Sequence, residues 1–322
     1  MLLSAFIKTS VANLSSLYPE EEARSMVMYY CTEVFGFPVY QHITEPATEV
    51  PSDLLDVALD DIRRLAASEP LQYVLGYTEF CGRRFMVDER ALIPRAETEV
   101  LCQKAEEMVA ALLGKAAPLP GNAAPLRVLD LCTGSGCIAW TLALDLPGSQ
   151  VVATDLSEDA LALADSQFRG RDTVPGWTGR LPRNVLRPVF VKADVLDADG
   201  SASAAVSSLA QYGAASGQAS FDLLTANPPY VMPSEKADMR QNVLGWEPHM
   251  AIFAPDRDPL AFHKAIALVA LKVLAPGGKG IVEINSELPD ETAAVFSAAG
   301  LSDICIIPDY FDRPRFISFT RQ

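Results

Sequence analysis

Histidine is nearly absent from this chain, with three in 322 residues. The six cysteines are Cys31, Cys81, Cys102, Cys132, Cys137 and Cys305. They form no C-x-x-C pair and stand at no zinc-ligand spacing with a histidine, so no metal is assigned. The thiols read as reduced and mostly buried, as in a reducing compartment. No run reaches ~18 consecutive apolar residues, so no membrane span is expected. The apolar start, Met1 to Lys8, has neither the basic flank nor the length of a secretory leader. No Arg-rich, acid-poor leader is seen either, and the expected location is cytoplasmic. A phosphate-cradling G-x-x-x-x-G-K-[ST] loop is missing. So is any Ser-His-Asp or Cys-His arrangement that would imply hydrolysis. Positive charge is in deficit: 26 Lys and Arg against 41 Asp and Glu, a formal net charge of −15. Such a surface repels phosphate backbones, which disfavours nucleic acid as a direct substrate and favours a basic protein partner.

What is present fits a folded α/β protein. Hydrophobic residues make up 49% and charged residues 21%, and the length predicts about two domains. Residues 1–75 read as a small helical domain. Ala23, Met26, Val27, Tyr30 and Val34 recur at helical spacing. Ser52 or Asp53 is expected to cap a second helix through Leu54, Ile62 and Leu65, which Pro70 ends. Gly76, Gly82 and Pro94 punctuate residues 76–95, which read as a β-hairpin and connector. A helix is expected from about Ala96 to Leu113. Within 96–322, short apolar strands at 127–131, 150–154, 188–192, 221–226 and 280–284 alternate with helices at 138–146, 157–168 and 261–274. That alternation implies a mostly parallel sheet covered on both faces. Two stretches break the rhythm and read as surface insertions. Residues 169–187 hold Arg169, Arg171, Arg180, Arg183 and Arg187, more in keeping with a solvated loop than a binding patch; 198–220 is rich in Ala, Ser and Gly.

The first strand runs into Asp130-Leu131-Cys132-Thr133-Gly134-Ser135-Gly136 and then a helix. Glycines there let the backbone approach a ligand and turn sharply, at the carboxyl edge of an open sheet. The second strand ends at Asp155, whose carboxylate can accept from both ribose hydroxyls of a nucleoside; a plain helix cap is the alternative. A dinucleotide loop would place glycine where Ala139 stands. S-adenosylmethionine carries no phosphate and needs no such loop. At the end of the third strand Asp194 is placed to accept from an adenine amino group, and Val195 to cover the ring.

The fourth strand leads directly into Asn227-Pro228-Pro229-Tyr230. Prolines fix the backbone and remove amide donors. The Asn227 side-chain oxygen and the Pro228 carbonyl then offer two acceptors for a planar NH₂ group, and Tyr230 a face to stack on it. Holding both N–H groups aims the nitrogen lone pair, so catalysis is mainly positioning. The reading is methyl transfer to a planar amide or amine nitrogen.

With these residues in view, the chain resembles the peptide chain release factor N5-glutamine methyltransferases. Pro70-Leu71-Gln72-Tyr73-Val74-Leu75-Gly76 is similar to the end of that family's helical domain. Leu92-Ile93-Pro94-Arg95-Ala96-Glu97-Thr98-Glu99 is similar to its connector, with Ala96 where a second proline is common. Asn227 to Tyr230 matches its amide-binding motif, and Asp309-Tyr310-Phe311-Asp312-Arg313-Pro314-Arg315-Phe316 its last hairpin. The resemblance implies a Rossmann-like S-adenosylmethionine-dependent methyltransferase sheet preceded by a helical domain that helps dock the substrate. It implies transfer to the glutamine of the Gly-Gly-Gln loop in class I release factors, with S-adenosylhomocysteine as product. Cys132, Thr133, Gly134, Ser135, Gly136, Asp155, Asp194, Val195 and Asn227 would face the cofactor. Asn227, Pro228, Pro229 and Tyr230 would hold the glutamine. Arg95 and Glu97 either sit near the site or anchor the connector by ion pairs. The chain departs from the family at Ala254 to Leu260, where a Gly-containing segment is frequent, and at Asn285, where glycine is usual. An adenine N6-methyltransferase of DNA or RNA is the alternative enzyme, and a cofactor-binding scaffold the non-enzymatic one.

Overall fold

The computed structural model describes residues 1–113, 125–169, 181–196, 207 and 221–322. Apart from residue 207, the expected insertion at 198–220 lies outside the described residues, as do Arg171 and Arg180. The chain divides into two compact units, residues 1–76 with 239–246, and residues 77–238 with 247–322.

The first unit is helical. Its main helices are Leu3–Leu14, Glu20–Phe35 and Leu55–Ala66, with shorter ones at Gln41–Thr44, Leu71–Leu75 and Gln241–Trp246. In Leu55–Ala66 the buried residues Ala58, Ile62 and Leu65 share one face by helical spacing. They meet Phe6, Leu14, Val27 and Tyr30 in one core. The Tyr30 hydroxyl donates to Asp61 at 2.7 Å, so this buried polar group has its partner. Neither Ser52 nor Asp53 caps the helix. The Leu54 amide donates to the Pro51 carbonyl at 3.1 Å, which makes Ser52 and Asp53 the middle of a turn and leaves Leu54 at the cap position without a side-chain bond. The helix stops at Ala66, before Pro70, which instead stands at the start of Leu71–Leu75.

The second unit begins with strands β1 (Tyr77–Phe80) and β2 (Arg83–Met86), paired antiparallel. Cys81 (φ +47°) and Gly82 (φ +67°) form a two-residue turn with both residues left-handed, the kind whose twist matches a hairpin. The helix Thr98–Leu113 follows. Next come β3 (Arg127–Leu131), β4 (Gln150–Asp155), β5 (Val189–Lys192), β6 (Phe221–Ala226), β7 (Leu274–Glu283), β8 (Ser302–Pro308) and β9 (Pro314–Thr320). They make a seven-stranded sheet in the order β5-β4-β3-β6-β7-β9-β8. The first five are parallel, and β9 and β8 close the edge antiparallel. β7 starts at Leu274, earlier than its apolar run, because the helix Ala261–Val273 feeds straight into it.

Apolar side chains cover both faces, which is why these strands read as continuous apolar runs. Leu101, Ile138 and Trp140 pack on one face, and Ile266, Val269 and Phe296 on the other. Each large side chain buried this way contributes about 1.5–3 kcal/mol. Phe296 stacks on Phe319 with centroids 4.7 Å apart. Arg187 joins the packing instead of hanging in solvent. Its guanidinium lies 4.6 Å over the Trp140 ring and donates to the Asp165 and Gln167 carbonyls. No described helix is long and apolar enough to cross a membrane. The strand order reverses at β3, with β4 and β5 to one side and β6 onward to the other. Ligands of open α/β sheets bind in the crevice that such a reversal opens at the carboxyl ends.

Candidate active site

The turn after β3 is held by two aspartates. Asp130 is fully buried and accepts from the Thr133 hydroxyl at 2.6 Å and the Thr225 hydroxyl at 2.7 Å. Burial pushes its carboxyl up from 3.8 to about 7. Asp130 was not among the expected site residues; its signal was a carboxylate inside an apolar strand with a hydroxyl three residues on. Asp155, at the end of β4, accepts from the Gly134 amide at 2.8 Å and the Ser157 amide at 3.0 Å. Burial raises its carboxyl, and these backbone bonds oppose the rise. Asp155 is therefore not the helix cap. Ser157 is, accepting from the Ala160 amide at 3.1 Å. Cys132 (φ +57°), Gly134 (φ +54°) and Gly136 (φ +79°) all take left-handed backbone. At Gly136 a Cβ would stand 2.8 Å from the Ala164 Cβ, so this glycine serves the contact between two helices.

The turn opens on a cavity of about 390 Å³, within the ~300–1,000 Å³ usual for small-molecule sites. Cys132, Thr133, Gly134 and Ser135 line it, with Asp155, Asp194 and Val195 from the neighbouring strand ends. Asn227 and Pro229 line it as well, whereas Gly136, Pro228 and Tyr230 do not. The structure adds wall residues that had not been singled out, among them Ala91, Leu92, Pro94, Thr98, Met250 and Phe253. Several lie in the connector, whose L-I-P-R run was visible while its place over the sheet edge was not. The two arginines of the wall are both paired, Arg90 with Asp88 at 2.6 Å and Arg95 with Glu247 at 2.6 Å. An apolar cavity with two carboxylates and neutralised cations does not fit a pyrophosphate. It fits a nucleoside bearing a positive sulfonium.

At the end of β6, the Asn227 Nδ2 donates to the Thr98 hydroxyl at 3.3 Å. Thr98 donates to Glu283 at 2.8 Å, and the Tyr230 hydroxyl donates to the other Glu283 oxygen at 2.7 Å. Burial pushes both Glu283 and Tyr230 up. His263, held near 4 by burial and hence neutral, donates from Nε2 to the Glu283 carbonyl at 3.0 Å. Asn285 ties the chain after the motif, donating to the Tyr230 carbonyl at 3.2 Å and to Glu235 at 2.8 Å. The asparagine that stands where glycine is usual thus adds a brace. Arg95 is bound to buried Glu247, whose other oxygen accepts from the Ile93 amide at 3.0 Å.

Together, the sheet order, the turn after β3 and the strand-end carboxylates define the fold of S-adenosylmethionine-dependent methyltransferases. The hMettl16 catalytic domain, solved with the MAT2A 3'UTR hairpin 6, shares that fold with a TM-score of 0.50 at 15% identity, covering 80% of this chain and 81% of its own. No protein-family model matches the chain. The release factor glutamine methyltransferase of Bacteroides thetaiotaomicron is 34% identical over 320 residues, 99% of each chain. That of Cereibacter sphaeroides is 33% identical over 321 residues, covering 97% of this chain and 96% of its own. That of Chlorobaculum tepidum is 35% identical over 260 residues, covering 81% and 77%. The chain belongs to the release factor glutamine methyltransferase family.

Proposed function

We propose that this protein transfers a methyl group from S-adenosylmethionine to the side-chain amide nitrogen, N5, of the glutamine in the Gly-Gly-Gln loop of class I peptide chain release factors. The observation that carries the reading is the placement of Asn227 at the end of β6. It lines the cavity, and its NH₂ is bonded to Thr98, which leaves its oxygen for an acceptor. Bound in that cavity, the cofactor supplies an electrophilic methyl group on a sulfonium.

The remaining work belongs to the chain's own residues. Asp155 keeps lone pairs beyond its two backbone bonds for ribose hydroxyls, Asp194 accepts from the adenine amino group, and Val195 covers the ring. Asn227 accepts one N–H group of the glutamine amide from the cavity wall, and the Pro228 carbonyl, outside that lining, accepts the other where the glutamine enters, with Pro229 and Tyr230 framing the plane. A fixed amide has its lone pair aimed and its nitrogen enriched in charge, so positioning lowers the barrier. No strong base is needed. Asp130, the carboxyl held near neutrality, is committed to Thr133 and Thr225 and serves the turn. Residues 1–75 help to dock the release factor, residues 76–95 connect, and residues 96–322 carry the chemistry. The acidic charge suits a basic protein partner, and the role in translation termination places the enzyme in the cytoplasm.

The test uses methyl-labelled cofactor with a purified class I release factor and, in parallel, duplex DNA. Intact-mass and fragment spectra then locate the label. One methyl on the Gly-Gly-Gln glutamine is the expected result. Label on adenine alone, or on neither, overturns the assignment.

A further inference from the structure

The hydrogen bonds behind Asn227 run in one direction. An ionised carboxylate only accepts, and Glu283 receives a hydroxyl proton on each oxygen, from Thr98 at 2.8 Å and from Tyr230 at 2.7 Å; these two donors and the positive charge of Arg315 favour that ionised form against the upward push of burial. A threonine hydroxyl has a single proton. Having given it to Glu283, Thr98 can offer Asn227 only a lone pair. Asn227 must therefore present its NH₂ to Thr98, as it does at 3.3 Å. The other end of the amide, the carbonyl oxygen, is left for the cavity.

We propose that Thr98 and Glu283 are positioning residues that fix which end of the Asn227 amide meets the acceptor. An asparagine amide has two nearly isosteric orientations, and only one shows an acceptor to the incoming N–H. The wrong orientation would oppose donor to donor. The proposal rests on the reading of Asn227 as the acceptor-binding residue, and it explains how a neutral side chain with two faces is held to one. Glu283 and Thr98 are both buried, so water does not compete for these bonds. Thr98 begins the helix Thr98–Leu113 and Glu283 ends β7, so the orientation is set by two elements that pack together. The Tyr230 hydroxyl, by filling the second oxygen of Glu283, keeps that carboxylate from turning.

Thr98→Val keeps the shape and removes the hydroxyl. Thr98→Ser keeps the hydroxyl and removes the methyl. Glu283→Gln offers one acceptor where two donors arrive, and its NH₂ competes with Asn227 for the Thr98 oxygen. Two readouts are taken on the full chain: the rate of labelled methyl transfer to the release factor, and the Asn227 side-chain NH₂ resonance in ¹⁵N–¹H spectra, assigned by its loss in Asn227→Ala. Thr98→Val and Glu283→Gln are expected to lower kcat on the order of 10- to 100-fold, with binding of S-adenosylhomocysteine within about twofold of wild type. Both should move the Asn227 resonance, and Thr98→Ser should restore rate and resonance together. A Thr98→Val variant with wild-type kcat and an unmoved resonance overturns the proposal. So does Thr98→Ser behaving like Thr98→Val, which would assign the effect to packing. Failure of the wild type to label the release factor sinks the substrate assignment alone. The resonance arm needs no acceptor and still decides the role of Thr98.

Discussion

Asp155 on β4 accepts a hydrogen bond from the Gly134 amide at 2.8 Å, so the second parallel strand holds the turn that follows the first. The same carboxylate accepts from the Ser157 amide. Removing it frees the turn and deletes the acceptor proposed for the ribose. Asp155→Ala should therefore weaken binding of S-adenosylhomocysteine by about 1–3 kcal/mol, read by titration calorimetry. Wild-type affinity in this variant would remove Asp155 from the cofactor site.

Gly136 makes a separable prediction, because it is constrained twice. Its φ of +79° disfavours a side chain, and an added Cβ would meet Ala164 at 2.8 Å. Gly136→Ala should lose about 2–4 kcal/mol of stability in denaturant unfolding. Pairing it with Ala164→Gly removes the 2.8 Å contact and leaves the backbone cost and the looser approaches to Trp140 at 3.2 Å and the Ala164 Cα at 3.3 Å. The double variant should be less destabilised than the sum of the singles; strict additivity would show that the contact is not limiting.

The strands and the Asn227 motif were legible because their signals are local. β3 and β6 are short apolar runs closed by a glycine turn or by prolines, and Ser157 stands where a cap must stand. What stayed hidden depends on register between distant segments. Thr98 and Glu283 are 185 positions apart, and Arg95 and Glu247 152. Nothing in the local pattern of Ala96 to Glu99 says which strand end its first helical turn will touch. Ser52 and Asp53 misled for the opposite reason. The cap preference is real, but Pro51 closes a turn that uses those residues first. At Gly136 the helix contact stayed hidden, because a glycine needed for a ligand and one needed for helix packing look alike in sequence.

Asp130 gives a pH prediction. Burial places its folded value near 7 against 3.8 for the free group. As pH rises, the unfolded chain releases this proton first. The stability held through the protonated group is complete below about 4 and lost by about 7. At about 1.4 kcal/mol per pH unit, the loss is on the order of 4 kcal/mol. Asp130→Asn does not titrate and keeps polar groups for Thr133 and Thr225. The difference in unfolding free energy between wild type and variant should shift toward the variant between pH 4 and 7. A flat difference would mean that Asp130 ionises normally in the fold.

Arg95 separates anchoring from chemistry. Its partner Glu247 has a side chain 1% exposed, while Arg95 itself is 36% exposed. Arg95→Met leaves a buried carboxylate with only the Ile93 amide. About 1–3 kcal/mol of stability should be lost, less than for a wholly buried pair because solvent reaches the arginine. With anchoring as its role, kcat at a temperature well below unfolding should stay within a few-fold of wild type. A large fall in kcat at unchanged stability would place Arg95 against the substrate.

Asn227 itself should divide binding from turnover. Its side chain is a minor part of a cavity lined by the turn after β3 and by two strand-end carboxylates, so Asn227→Ala should bind S-adenosylhomocysteine nearly as wild type does. Transfer should fall to the limit of detection, because the acceptor amide loses the group that fixes its plane and one of its two hydrogen-bond partners. Orientation of that kind is worth several orders of magnitude in rate. If the binding of cofactor and the rate of methyl transfer fall in parallel, Asn227 is a wall of the cofactor pocket and the acceptor is held elsewhere. If the rate falls alone, the nitrogen to be methylated sits against the oxygen that Thr98 leaves free.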